Sequence, residues 1–227
     1  MSTIIEMIRY QNSANCISAL ATSKESFLPI TYEINSGKIY GFVSDFGCGS
    51  WGLATCIGGR GYLNASGTLL FNGKAVSPKY LESISSFVPE IPITLIGGAN
   101  SEITAKECIE KALYLSQIQY TVDNIKKIFH LTDNRFNRPI SCVSGEIWLI
   151  SLAINFSLGK EIYCFPWMNH RTISIAITLS KIGVLDHLKA NGKIVIIPSN
   201  QIRAIKKISD YSLIFKDKRY IYYKKYH

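Results

Sequence analysis

The chain has 227 residues, of which 47% are apolar and 18% charged, and it carries a net charge of +9. That length can bury a sizeable core and that composition excludes an intrinsically disordered chain, while the positive excess favours an acidic partner: anionic lipid headgroups, nucleic acid or an acidic protein face. No apolar run reaches the roughly 18 to 20 residues that cross a bilayer, and the longest, Ile147 to Leu158, is interrupted by Ser151, Asn155 and Ser157.

In chain order, the opening MSTIIEMIRYQ carries Glu6 and Arg9 where a secretory leader would be apolar, so an intracellular chain is expected. FLPITYEI alternates and predicts a strand ending at the turn NSG. KIYGFVSDF predicts an apolar strand that runs into the glycine-containing stretch SDFGCGSWGL. WGLATCI predicts a short helix closed by Gly58 and Gly59, GTLLFNGK a strand and turn, and ISSFVPEIPITLIG reads as extended. The middle of the chain is helical. Thr104 to about Ser116 places Cys108, Ile109, Ala112 and Leu113 on one face. Thr121 caps a second helix with Val122, Ile125, Ile128 and Phe129 along a stripe, and a third runs from about Gly145 to Leu158. KEIYCFPW predicts a buried strand, Thr172 to Ala190 a helix, GKIVIIPS a strand and NQIRAIKKI a helix. YSLIFKD and KRYIYYKKY close the chain as a hairpin, in the segment that gathers much of the positive charge. Strand, loop, helix, inserted helices, then alternating strand and helix describe an α/β fold with a helical insertion.

Six cysteines (Cys16, Cys48, Cys56, Cys108, Cys142, Cys164) and four histidines (His130, His170, His187, His227) are scattered, with no C-x-x-C pair. Buried, reduced thiols acting as small apolar groups are expected, with neither a disulfide framework nor a metal site.

The glycine loop admits three chemistries. Gly47, Gly49 and Gly52 fit G-x-G-x-x-G between a strand and a helix, the dinucleotide fingerprint, but SGTLLFNGK lacks the acidic residue required about twenty positions on. A G-x-S-x-G nucleophile elbow at Ser50 meets Cys48 at its first glycine and has no identifiable histidine partner. A phosphate loop needs glycines whose N–H groups ring phosphates, a lysine that neutralises them and a hydroxyl that holds Mg²⁺. Ser44, Gly47 and Gly49 fit that loop, with Ser50 at the lysine position and Trp51 at the hydroxyl position.

Over nearly its whole length the chain resembles the nucleotide-binding subunit of an ABC transporter. ITYEINSGKIYGFVSDFGCGSWGLATCIGGR and GTLLFNGK look like that family's opening through Walker A, which here is Gly47, Cys48, Gly49, Ser50, Trp51 and Gly52. ISSFVPE is similar to the segment ending in the Q-loop, with Glu90 in the glutamine's place. LTDNRFNRPISCVSGEIWLISLA resembles the ABC signature and its helix, KEIYCFPWMN resembles Walker B, and GKIVIIPSN resembles the strand ending in the switch histidine. Pro166 follows Val143 by 23 residues and Asn200 follows Pro166 by 34, as that register requires.

On this resemblance the family's working residues are replaced. The Walker A lysine becomes Ser50 and the Mg²⁺-binding hydroxyl Trp51; the Walker B aspartate becomes Pro166, the catalytic glutamate Trp167 and the switch histidine Asn200. Val143 stands in the signature serine's place in this register, or the serine survives as Ser144 if one glycine was deleted; Ser144, Gly145 and Glu146 keep part of the motif. The adenine-stacking aromatic would fall near Ala19 to Lys24, which holds none. Phosphoryl transfer consists mostly of positioning and charge neutralisation, so the resemblance implies a cassette with weak or absent hydrolysis and no retained catalytic residue. ATP binding is expected to be weak or lost and Mg²⁺ binding absent; the bulk of Trp51 could fill the phosphate and metal space, and the loop amides could still hold an anion weakly.

The expected architecture is a P-loop NTPase-like ABC cassette, with residues 1–90 and 159–227 as the α/β core and about 91–158 as a helical subdomain. The implied partners are a membrane permease and a second cassette, as a homo- or heterodimer, at the inner face of the cell membrane, where an anionic surface would also attract the chain. No nucleic acid partner is expected. Two other readings remain open at this point: a soluble regulatory or scaffold module that uses the fold to dimerise, and a working ATPase in which Ser50 and backbone amides replace the lysine.

Overall fold

In a computed structural model of the chain, residues 4–18, 21–96, 102–216 and 220–226 are described. Their contacts divide it into two units, Met1–Ser85 with Glu161–His227, and Ser86–Lys160.

The first unit opens with its two longest strands, β1 (Ile4–Ile17) and β2 (Thr22–Asn35). They pair antiparallel, with Ile5 opposite Ile34 and Ala14 opposite Glu25. Next come β3 (Lys38–Val43), α1 (Ser50–Ile57), β4 (Ser66–Phe71), β5 (Lys74–Ala75), α2 (Pro78–Ile84) and β6 (Ser85–Phe87), at whose first residue this part of the unit ends. In the second unit follow α3 (Ile93–Ile96), α4 (Ala105–Ser116), α5 (Val122–Ile128), α6 (Asp133–Phe136), a 3₁₀ turn at Ile140–Cys142 and α7 (Ile147–Ser157). The chain returns to the first unit through β7 (Ile162–Cys164), α8 (Ile173–Lys181), α9 (Val184–Ala190), β8 (Ile194–Ser199), α10 (Ile202–Ile208), β9 (Tyr211–Lys216) and β10 (Tyr220–Lys225).

One sheet of the first unit is four-stranded and antiparallel, in the order β2-β1-β4-β5. The other has, within this unit, the order β10-β9-β3-β8-β7. Within it β3 runs parallel to both β8 and β9, and β7 parallel to β8. Strands of parallel sheets are covered on both faces and therefore read as continuous apolar runs. Accordingly β8 and β7 are buried at every residue and β3 at every residue after Lys38. The α1 helix is buried at all eight of its residues, which explains why WGLATCI has no polar face. On β3, a Cβ at Gly41 would fall 2.0 Å from Ile205 Cγ2, so glycine there lets α10 lie against the strand.

In the second unit, α4 and α5 each start with a capping box, Thr104 with Glu107 and Thr121 with Asn124. Cys108, Ile109 and Ala112 are buried on α4, as are Ile125 and Phe129 beside α5, while Leu113, Val122 and Ile128 are half-buried. Polar groups inside the apolar α7 are satisfied locally: Ser151 Oγ and Asn155 Nδ2 donate to the Glu90 carbonyl oxygen at 2.7 and 3.1 Å.

Several local expectations change. ISSFVPEIPITLIG is extended only at Ser85–Phe87. Ile84 ends α2, whose start carries a Ser77 cap and Pro78 in the first turn, and Ile93–Ile96 is helical; Gly97 lies outside the described residues. The helix expected from Thr172 to Ala190 is two helices, because Gly183 takes a left-handed φ of 79° between them. KEIYCFPW pairs as a strand only over Ile162–Cys164, since Pro166 has no N–H to give a ladder. The cysteines are not uniformly buried: Cys16, Cys56, Cys108 and Cys164 are, but Cys48 is half-buried and Cys142 exposed. No helix among the described residues is long and apolar enough to cross a membrane.

Candidate functional site

The glycine loop leaves the end of β3 at the place where the parallel strands of the sheet also end, the usual ligand crevice of α/β sheets. Ser44 N donates to Ser199 O at 3.1 Å, tying the loop's first residue to the end of β8. Gly47 and Gly49 both adopt left-handed φ, 81° and 101°, and Gly49 is the N-cap of α1 with no side-chain cap of its own. Successive main-chain N–H groups in such a loop converge and favour an anion, and the positive end of the helix dipole adds to the attraction.

The anion that meets them is Glu25 of β2. Its Oε1 accepts from Gly47 N at 3.0 Å, and its Oε2 accepts from Gly49 N at 3.1 Å and Gly52 N at 2.9 Å. The residue is wholly buried. Burial raises its carboxyl above the ordinary glutamate range, against the opposing pull of the loop N–H bonds. Close approach of β2 to the loop requires the glycines: a Cβ at Gly52 would fall 2.9 Å from Glu25 Cβ, and one at Gly49 2.8 Å from Ser26 O.

The neighbouring positions are filled by hydroxyls and rings. Ser50 is buried, with Oγ 2.5 Å from Ser44 Oγ, which also donates to Asp45 O at 2.8 Å. Trp51 is 3% exposed and sits within α1. The Phe46 ring, 44% exposed, contacts Trp51 at 6.1 Å between centroids and Trp167 edge-on at 5.1 Å. Trp167 Nε1 also donates to Ser44 O at 3.3 Å. Pro166 is buried just beyond β7, between Phe165 N, which bonds Ile196 O at 2.9 Å, and Met168 N, which bonds Pro198 O at 2.8 Å two residues on. Asn200, half-buried after β8, accepts from Gln201 Nε2 at 2.7 Å.

The structure thus brings Gly47, Cys48, Gly49, Ser50, Trp51 and Gly52 into one loop and helix start, with Trp167 joined to it through Phe46 and the Ser44 carbonyl. Pro166 and Asn200 belong to the adjoining strand ends. The remaining positions lie in the second unit. Glu90 is exposed, with its carbonyl taken by α7; Val143 is buried; Ser144 and Gly145 are exposed. Glu146 is the N-cap of α7, and its carboxylate lies 3.4 Å from Thr132 Oγ1 and 4.0 Å from Arg135 Nε.

Sequence reasoning gave the bulk of Trp51 the phosphate space. The group bonded to the loop amides is instead the Glu25 carboxylate, a residue absent from that reasoning. A signal existed. Reading the strand from Thr22 rather than Phe27 puts Glu25 in phase with Phe27 on the inward face, and a glutamate at an inward position requires donors. Chemically, the loop satisfies the carboxylate with neutral main-chain N–H donors, and SDFGCGSWG itself contains no lysine or arginine. Among the described residues, no group of three or more His, Cys, Asp or Glu could hold a metal ion.

No protein-family profile matches the chain, and no curated protein matches it in sequence. Solved structures do match in fold. The CbiO1 structure from Clostridium perfringens, part of the ABC transporter complex CbiONQ, aligns over 99% of this chain and 89% of its own, with a TM-score of 0.67 at 16% identity. An ATP-binding subunit of an ABC transporter aligns over 98% and 90%, with a TM-score of 0.67 at 14% identity. An ATP-binding cassette of an ABC transporter in its ADP conformation aligns over 97% and 91%, with a TM-score of 0.65 at 16% identity. The fold is that of ABC transporter ATP-binding subunits, over almost the entire chain.

Proposed function

We propose that this chain is an ABC-type cassette subunit that works with a membrane permease and hydrolyses ATP weakly or not at all. The observation that carries the second half of this reading is the loop itself: Ser50 and Trp51, which we read at the lysine and hydroxyl positions, are buried, and the stretch holds no cation. The residues do not fit MgATP. Pro166 offers no side-chain oxygen for a metal shell, Trp167 and Asn200 no general base, and the loop N–H groups already hold a carboxylate. Glu90 is read as the Q-loop equivalent and Val143, Ser144, Gly145 and Glu146 as the signature equivalent, with residues about 91–158 as the helical subdomain that serves the permease and a second cassette.

The permease half of the reading rests on the fold and on the fact that one structure sharing it comes from a transporter complex. A permease helix needs an apolar groove rather than a nucleotide, so lost hydrolysis does not remove the partner. Exposed Lys224 and Lys225 on β10 add attraction to an anionic membrane face.

Calorimetry with ATP and Mg²⁺ tests the first half; the expected result is no Mg²⁺-dependent heat at micromolar concentrations, and a clear one overturns it. Membrane fractionation tests the second. Produced together with its genomic neighbours, the chain stays with membranes through a 1 M salt wash, which shortens the Debye length to about 3 Å. Produced alone, it washes off. Full release in the first case rejects the permease and favours a regulatory or scaffold module.

A further inference from the structure

The fate of Glu25 goes beyond the absence of a lysine. A carboxylate leaves water only where donors replace its hydration. Here both oxygens are engaged, Oε1 by Gly47 N and Oε2 by Gly49 N and Gly52 N, at 2.9 to 3.1 Å. The fit is built from both sides. On β2, Glu25 sits opposite Ala14, a small residue, on the inward face of a strand pair. On α1, Gly52 leaves room for the Glu25 Cβ where any side chain would collide. Gly49, at a φ of 101°, turns its N–H toward the carboxylate and allows the Ser26 carbonyl to approach.

We propose that Glu25 is the loop's resident anion: it takes the N–H groups that a phosphate would need, and so closes the loop to phosphate ligands. The proposal rests on the reading of SDFGCGSWG as a phosphate-type loop and adds what occupies it. Loss of the lysine alone would leave N–H groups at a helix start that still attract phosphate weakly. The tethered carboxylate removes that remainder. It also explains why the loop keeps its glycines without a cation: they serve the approach of β2.

The test compares the intact chain with Glu25→Ala and Glu25→Gln. Inorganic pyrophosphate is titrated without Mg²⁺ and followed by calorimetry and by the amide signals of Gly47 and Gly49. Where a site is open only part of the time, apparent affinity falls by the open fraction, so a loop occupied more than nine-tenths of the time gains roughly tenfold or more on removal of Glu25. The expected result is pyrophosphate binding by Glu25→Ala at least tenfold tighter than by the intact chain. Glu33→Ala, on an exposed position of β2, leaves binding unchanged. Equal binding by the intact chain and Glu25→Ala, or none by a folded Glu25→Ala, overturns the proposal.

Hydrogen exchange supplies a measurement that needs no ligand and survives poor folding of the alanine variant. In the intact chain the Gly47 and Gly49 amides exchange slowly; in Glu25→Gln, whose amide group turns a donor toward those donors, they exchange faster. Fast exchange in the intact chain also overturns the proposal. Membrane retention reads the cassette assignment and amide exchange reads the carboxylate, so the two readings fail separately.

Discussion

Among the helices that begin without a side-chain cap from their own N-cap residue are α1, after Gly49, and α7, after Glu146. At α1 a distant strand supplies a carboxylate to the first turn, and every residue of the helix is buried. At α7 the turn before the helix is on the surface: Ser144 and Gly145 are exposed, and a Cβ at Gly145 would meet nothing within 4 Å. Both segments resemble glycine motifs of one family. They differ in what holds them: the first is fixed by packing inside its unit, and the second is open at the surface of its own unit. The glycines of the first segment therefore have a structural reason, the approach of β2, while the small residues of the second carry no such load.

Substitutions break this comparison in a definite order. The largest effect is expected from Trp51→Ala, which removes a buried ring beside Phe46 and should destabilise by about 3 to 5 kcal/mol; chemical denaturation measures it, and a change near zero would mean that the ring is not packed. Gly52→Ala comes next. Its Cβ meets Glu25 Cβ, backbone-proximal on a paired strand, so overpacking of about 1 to 3 kcal/mol is expected by the same measurement. The mirror substitution in the other unit, Gly145→Ala, should stay within about 0.5 kcal/mol, the range of surface changes away from special features. If Gly145→Ala costs as much as Gly52→Ala, the contrast between the two helix starts is wrong.

The pH dependence sharpens the same contrast. Because burial raises the Glu25 carboxyl, the native chain binds its proton more tightly than the unfolded chain does. Stability from this group is present below the ordinary glutamate range and falls as pH rises through the raised value. Glu25→Ala should flatten that part of the stability-against-pH curve. Denaturant midpoints from pH 4 to pH 8 read the difference; equal slopes in the intact chain and Glu25→Ala contradict the assignment.

The alternation of periods along the chain was enough to place β3, α1, α4, α5, α7, β8, α10 and the closing hairpin, because their apolar patterns are strong and their boundaries carry caps or glycines. β1 stayed unread. Its second half, QNSANCI, interleaves polar residues, and only pairing with β2 and β4 makes Asn12 an inward residue, where it accepts from Asn64 N at 3.2 Å. Residues 44–52 were legible as a glycine loop between a strand and a helix, yet their partner was not. Glu25 lies in a stretch, TSKES, whose polar letters look like a turn, and nothing local says that this piece continues the strand. Contacts between residues 22 to 27 positions apart, as Glu25 makes with Gly47, Gly49 and Gly52, depend on the twist and register of a sheet rather than on any short window. The break at Gly183 was missed for the opposite reason: glycine inside an apolar helical pattern is tolerated often enough that its left-handed turn is invisible until the two helices are seen.

A strand that carries its own carboxylate into the loop changes the terms of competition. A free phosphate compound reaches a site at its concentration in solution, which rises and falls with metabolism. A group tethered on a neighbouring strand faces the site at an effective concentration fixed by the geometry of the chain. Its stoichiometry is one per molecule, and neither dialysis nor starvation dilutes it. The state of this loop is accordingly set when the chain folds, and a change in the supply of nucleotide reaches it only through an event that separates β2 from α1.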